Sequence, residues 1–359
     1  MLPSYESPKV EDSPKRRFVT PILYGDVPTF MEAPAAKNPS ELKDATVAVL
    51  GIPWEGLKVK SPRELLPATA APAGPNSIYF RTGADKAPEA IRKNSIYYSI
   101  YHGGYFPELD RGLRLLDHIS IVDYGNVEVV VGDAEETYKR AELKVLEIID
   151  AEAIPLVFGG DHGVTYPVLR ALSQRARGKI GIIQFDSHFD LDKEFKYWAG
   201  WQFMGAYELG KIDPKNHVQI GIRGLRNPLY WYKTASEHGL TVFTMADVQD
   251  RGLAAVAEEA LRVASNGTEG IYVTLDIDVV DPAYCPAQKY PDPGGLTSRE
   301  IIQALRIVSR KGVLGFDLCC LGAQYDDPTG IGAQLAARCV VEIVGSIALS
   351  LKKAKETRR

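Results

Sequence analysis

Cysteine is scarce in this chain of 359 residues: four, at positions 285, 319, 320 and 339, with no CxxC pair and no zinc-finger spacing. That excludes a thiolate zinc module, and the adjacent Cys319 and Cys320 read as free thiols in a reducing, cytoplasmic setting. An excess of one charge is lacking too, with 42 Lys plus Arg against 46 Asp plus Glu and a net charge of −4. No overall basic surface is offered, so no nucleic-acid partner is expected. The N-terminus reads as having no apolar secretory segment, and no apolar run reads as long enough to cross a bilayer, so no membrane partner is expected either.

What is present is an ordinary globular composition, 45% hydrophobic and 25% charged, enough for a large core. Residues 1–45, rich in proline and charge, read as an extension lying over the domain or a neighbouring subunit; 46–353 read as the domain and 354–359 as a charged tail. Short apolar runs begin at Thr46, Ile119, Ile154, Lys179, His217, Leu240, Gly270 and Gly312. Helical spacing fills Ala134 to Ala153, Thr165 to Ala176, Leu253 to Ala264 and Ser298 to Ser309. This alternation predicts an α/β fold, a three-layer α/β/α sandwich around a parallel sheet of about eight strands. The stretch from Lys58 to Asn76, with Pro62, Pro67, Pro72 and Pro75, reads as a long surface loop.

Three of the strands end in acidic or imidazole groups: "GGDHGVTYP" (159–167), "FDSHFDLD" (185–192) and "TLDIDVVDP" (274–282). Ligands of open parallel sheets bind beyond the carboxyl ends of the strands, so these ends share one rim. In the second motif Asp186, His188, Asp190 and Asp192 fall at every second position. Carboxylates gathered in one crevice repel one another unless a cation neutralises them. Oxygen and imidazole donors without thiolate suit Mn2+, Fe2+, Ni2+, Co2+ or Zn2+, with donors enough for two ions sharing bridging aspartates. Singly, the motifs have plainer readings: Asp161 of "GGDHG" can cap a helix, and "DID" can be a cap or a magnesium site. Together they point to a hydrolase, since a bridging pair of ions holds hydroxide at neutral pH.

These motifs, with "PDPGGLTSRE" and "GFDL" further on, resemble the ureohydrolase family of arginases, agmatinases and guanidino-acid hydrolases over roughly Thr46 to Leu351. "RTGADKAPEAIR" (81–92), "VDYGN" and "QIGIRG" are similar to family segments as well. The resemblance implies an α/β/α fold, a homotrimer or hexamer, and hydrolysis of a guanidinium carbon by metal-bridging hydroxide. It implies two divalent ions, Ni2+ or Mn2+: one on His162, Asp186, Asp190 and Asp276, the other on His188, Asp186, Asp276 and Asp278. Asp190 would also accept a hydrogen bond from the hydroxide and help pass its proton to the leaving amine.

Three segments depart from the family pattern. Ala199, in "KYWAGWQF", stands where the family usually has a histidine. Cys320, in "GFDLCC", stands where the family has a glutamate that pairs with the guanidinium, so a bidentate acceptor is lost. "PAQKYPDPGG" (286–295) puts Gln288, Lys289 and Tyr290 where relatives have small residues. With Trp198, Trp201, Phe203 and Tyr284 this predicts an aromatic mouth suited to a compact cation, with Cys320, Trp198, Trp201 and Tyr290 as substrate-binding residues. The expected substrate is a small cationic guanidine-type compound: free guanidine, an alkylguanidine or a biguanide such as metformin, as in the nickel-using branch of the family. Two alternatives stand beside it. One is a guanidino-acid or agmatine hydrolase in which Lys289, Arg81 or Arg92 handles a carboxylate tail. The other is a catalytically silent subunit in a hetero-oligomer with a paralogous active chain.

Overall fold

The computed structural model describes residues 28–56, 81–98, 103–194 and 196–357. The expected loop at 58–76 and the first 27 residues of the expected extension lie outside the described residues. Each apolar run becomes a strand: β1 (Val47–Gly51), β2 (Ile121–Asn126), β3 (Ile154–Phe158), β4 (Lys179–Phe185), β5 (Ile212–Ile222), β6 (Thr241–Thr244), β7 (Thr268–Asp276) and β8 (Gly315–Cys319). They form one sheet in the order β2-β1-β3-β8-β7-β4-β5-β6, with every neighbouring pair parallel. Strands covered on both faces need no polar alternation, and β1 and β8 are buried along their whole length.

The described helices are α1 (Ala87–Ser95), α2 (Ala134–Asp150), α3 (Thr165–Arg175), α4 (Gln202–Tyr207), α5 (Leu229–His238), α6 (Met245–Arg251), α7 (Leu253–Ala264), α8 (Ser298–Ser309) and α9 (Ile331–Thr357). Two apolar cores result, one on each face of the sheet. On one, Ile91 of α1, Val256 of α7, Leu305 of α8 and Ile343 of α9 join Phe185 and Leu275. On the other, Tyr138 of α2, Leu169 of α3, Phe203 of α4 and Trp231 of α5 join Ile182 and Tyr272. This is the expected three-layer sandwich.

Boundaries follow local chemistry. Asp133 opens α2 by accepting the Glu136 N–H, and a reciprocal Thr297–Glu300 capping box opens α8. α2 ends at Asp150 rather than the expected Ala153, because Glu152 adopts a left-handed φ of 60° as the chain turns into β3. β5 starts at Ile212, five residues before the apolar stretch read from His217, because its first half is polar and only partly covered. The described part of the extension is packed into the body: Phe30 and Met31 are buried, and the Phe30 N–H donates to Asp123 at 2.8 Å.

α9 corrects one expectation. By length and composition this helix could cross a membrane, contrary to the reading that no run was long enough. It packs instead against α1, α8 and β8, burying Ala336, Val340, Ile343, Val344 and Ile347. Its apolar sequence is that of a helix surrounded by core.

Candidate metal centre

Four adjacent strands in the middle of the sheet, β3-β8-β7-β4, end on the same rim. His162 lies in the turn after β3, Asp186, His188 and Asp190 follow β4, and Asp276 closes β7 with Asp278 two residues on. His162 Nδ1 is 3.0 Å from Asp186 Oδ2, 3.0 Å from Asp190 Oδ2 and 3.5 Å from Asp276 Oδ2. His188 Nδ1 is 3.1 Å from Asp278 Oδ2 and 3.5 Å from Asp186 Oδ1. Two donor groups therefore meet at Asp186: His162, Asp186, Asp190 and Asp186, His188, Asp278. The Asp276 contact brings the last of the six expected ligands to the first group.

The local sequence explains this placement. A Cβ at Gly160 would lie 1.6 Å from the Trp54 carbonyl oxygen, so only glycine lets the chain pass there. Asp161 is the cap of the plainer reading: its carboxylate accepts the Gly163 N–H at 3.0 Å and the Gly56 N–H at 2.6 Å. That cap turns the next residue, His162, inward. Burial pushes the Asp161 carboxyl up to about 6, against the lowering effects of Lys289 and the Gly56 N–H. Asp190 sits in the left-handed region with φ 53°, a conformation that costs energy and here aims a carboxylate back at His162. Asp192, the last acid of the alternating run, lies outside both donor groups and accepts the Glu194 N–H in a turn.

Beneath the donors runs a buried polar row that sequence reading missed. Asp317 of β8, Thr274 of β7, Gln184 of β4 and Gln219 of β5 are partners in sheet register, on the face covered by α2 to α5. Thr274 donates to Asp317 Oδ1 at 2.6 Å, and Thr165 and Tyr272 donate to its other oxygen. With its only proton given to Asp317, the Thr274 oxygen accepts from His162 Nε2–H at 2.9 Å. This fixes the tautomer and leaves the Nδ1 lone pair facing the carboxylates. Gln184 donates to Asp186 Oδ2 at 2.7 Å while its carbonyl accepts from His217 at 3.0 Å and Gln219 at 2.8 Å. Only the register could reveal this row, since its members are separated by up to 133 residues in sequence.

The donors fit a divalent cation. Buried His162 Nδ1 and Asp278 Oδ2 have no hydrogen-bond partner, and a bare imidazole nitrogen 3.0 Å from two carboxylate oxygens is repulsive unless positive charge lies between them. Without an ion, a proton takes that place. Burial lowers the pKa of both histidines, yet for His162 the acids Asp186 and Asp190, and for His188 the acids Asp278 and Asp186, raise it well above the usual imidazole range. Burial, then Asp278 and Asp186, push Asp276 up; Asp278 falls to about 2, because His188 and the Ser187 hydrogen bonds outweigh its burial.

Fold and donor set agree with the comparisons to known proteins. The arginase family model matches residues 45–345. Proclavaminate amidinohydrolase of Streptomyces clavuligerus is 32% identical over 322 residues, covering 87% of this chain and 93% of its own. Its solved structure superimposes with a TM-score of 0.75, covering 91% of this chain and 99% of its own. Guanidinopropionase of Pseudomonas aeruginosa is 29% identical over 332 residues, covering 91% and 93%. This chain belongs to the arginase family.

The expected substrate residues are distributed unevenly. Tyr290 stands edge-on to His188, with ring centroids 5.8 Å apart, and carries the Arg226 guanidinium on its face at 5.1 Å. Cys320, with φ 64°, turns at the end of β8, where it is buried and donates its backbone N–H to the Gly160 carbonyl at 2.8 Å. Trp198 is half-buried beside Gly200. Trp201 and Phe203 correct the expectation of an aromatic mouth. Trp201 is buried edge-on to Tyr166 and Tyr197, with centroids 4.8 and 5.7 Å away, and Phe203 is buried between His162 and His217. Phe203 thus backs the His162 imidazole, and Trp201 packs in an aromatic cluster with Tyr166 and Tyr197. Arg92 is corrected as a tail-binding candidate, because four hydrogen bonds to Asp123, Asn126 and the Gly125 carbonyl hold its guanidinium in the core. Arg81 lies 3.3 Å from the Gln288 carbonyl oxygen and stacks on Tyr325.

Proposed function

We propose that this chain is a binuclear metal-dependent hydrolase that cleaves a C–N bond of a guanidine-type compound. The observation that carries the reading is the pair of donor groups sharing Asp186, with the unpaired Nδ1 of His162 facing three carboxylates. His162, Asp186, Asp190 and Asp276 would hold one ion, and His188, Asp186, Asp276 and Asp278 the other. Mn2+ and Ni2+ both suit these donors. Bound there, two divalent ions would supply Lewis acidity towards the amidine carbon and activate water at neutral pH.

The chain's own residues do the rest. Gln202 donates to Asp190 Oδ2 at 2.5 Å and so orients the carboxylate that would pass a proton to the leaving amine. Tyr290 presents an aromatic wall beside His188. Cys320 stays a neutral thiol, pushed above the usual cysteine range by burial and then by Asp276, so it offers no charge to a guanidinium. The absence of a carboxylate at that position supports a compact substrate: free guanidine, an alkylguanidine or a biguanide such as metformin.

A second reading, a guanidino-acid or agmatine hydrolase, is favoured by similarity to an enzyme named guanidinopropionase. The deciding experiment purifies the chain alone, measures its metal content, and assays urea, ammonia and amine release with Mn2+ or Ni2+ from guanidine, methylguanidine, metformin, guanidinobutyrate, agmatine and arginine. Two ions per chain and turnover of an untailed compound are expected. A metal-loaded protein inert towards the whole panel would overturn the proposal.

A further inference from the structure

Lys289 is 6% exposed, among the most deeply buried cations of the described residues. Its Nζ lies 2.7 Å from Glu55 Oε1, close enough for an ion pair but without the alignment of a hydrogen bond. Glu55 comes from the turn after β1 and is anchored through its other oxygen, which accepts the Gly83 N–H at 2.7 Å. The pair belongs to the wall of the metal centre. Lys289 donates its backbone N–H to the Cys320 carbonyl at 3.3 Å, and its ammonium is 5.8 Å from the centroid of Tyr290, the ring that stands against His188. Burial works against the ammonium, yet Asp161, Tyr290, Cys320 and Glu55 raise its pKa well above the ordinary lysine value, so the lysine stays charged in the wall.

We infer that the Glu55–Lys289 pair is a specificity-determining element that makes the pocket select guanidine compounds without a charged tail. This rests on the hydrolase reading above. A cationic tail entering beside Cys320 would meet an ammonium fixed in the wall. A carboxylate tail would meet the Glu55 carboxylate paired with that ammonium. Either could be accommodated only by breaking a desolvated pair and leaving one charge buried without its partner, which is far costlier than placing a methyl group there. The lysine that looked like a carboxylate receptor in the sequence is thus already occupied by a carboxylate of its own chain.

The test compares kcat/KM for methylguanidine, agmatine and guanidinobutyrate in the Mn2+-loaded wild type, Lys289→Met and Glu55→Gln proteins. Wild type should favour methylguanidine over both tailed compounds. Lys289→Met leaves Glu55 unpaired and should shift the ratio towards agmatine by about tenfold or more; Glu55→Gln frees the ammonium and should shift it comparably towards guanidinobutyrate. The opposite signs are the readout, because structural damage would lower all three substrates together. Methylguanidine turnover with ratios unmoved in both variants would overturn the inference while sparing the proposed function. If a variant fails to fold, the wild-type order still decides, since preference for a tailed compound overturns the inference. No hydrolysis of any guanidine by the loaded wild type would remove the proposed function and the inference with it.

Discussion

The two halves of the metal centre are built differently. The His162 half rests on the sheet: its imidazole is buttressed through Thr274 by Asp317, and the shared Asp186 is held by Gln184, all side chains projecting from strand residues in register. The His188 half stands on segments beyond the strand ends, with Ser187, Asp278 and Tyr290 around it and 12% of its side chain exposed. Residues locked by packing and by hydrogen bonds behind them hold a geometry more tightly than residues on loops. The inner half therefore supplies rigidity. The outer half, with Tyr290 beside His188, is the less tightly held of the two.

The sharpest way to break this comparison is to remove the outer histidine. His188→Ala should abolish metal-dependent hydrolysis, a loss beyond about 1000-fold, while the fold and the donors around His162 persist. Elemental analysis and circular dichroism check this, and unchanged turnover would sink the binuclear assignment. A smaller effect separates the supporting shells. Thr274→Val cuts the link from His162 to Asp317 and should weaken metal binding about 10- to 100-fold. Ser187→Ala should cost less, because the Ser187 backbone N–H still donates to Asp278 Oδ1 at 3.0 Å. Metal titrations that found the two variants equal would remove the distinction between the halves.

A different kind of effect, on stability rather than on metal binding, concerns the network beneath both. Burial, and then the charge of His162, lower the pKa of His217 from 6.5 to about 3. Between those values the unfolded chain binds the proton that the folded chain refuses. The contribution of His217 is therefore present above about pH 6.5 and is lost as pH falls towards 3. In metal-free protein, His217→Gln should flatten the decline of unfolding free energy across that window, measured by urea denaturation at a series of pH values. An unchanged slope would mean that His217 is not held neutral.

Much of the sheet was legible because its signals are local: eight apolar runs of strand length, each bounded by turn residues, with helical spacing between most of them. β5 was read short because its first half carries polar residues that only partial cover on the sheet explains. The motifs at strand ends put acids and imidazoles on one rim for a related reason, while the choice of six of them as ligands came from the family resemblance. Trp201 and Phe203 were misjudged because an aromatic residue in a motif looks the same whether it lines a mouth or fills the space behind it. Their burial against Tyr166, Tyr197, His162 and His217 depends on α3, α4 and β5 coming together.

By itself, then, the sequence determined the strands, the helices α2, α3, α7 and α8, and which residues could bind a cation, because periodicity and side-chain chemistry act over a few residues. The tertiary structure alone decided that β3, β8, β7 and β4 are neighbours, that Asp317, Thr274 and Gln184 form a polar floor, that Arg92 is locked to Asp123, and that Lys289 meets Glu55. Those relations join residues far apart in the chain. They arise from packing a continuous apolar sheet between two helical layers, which brings a distant partner to each buried charge.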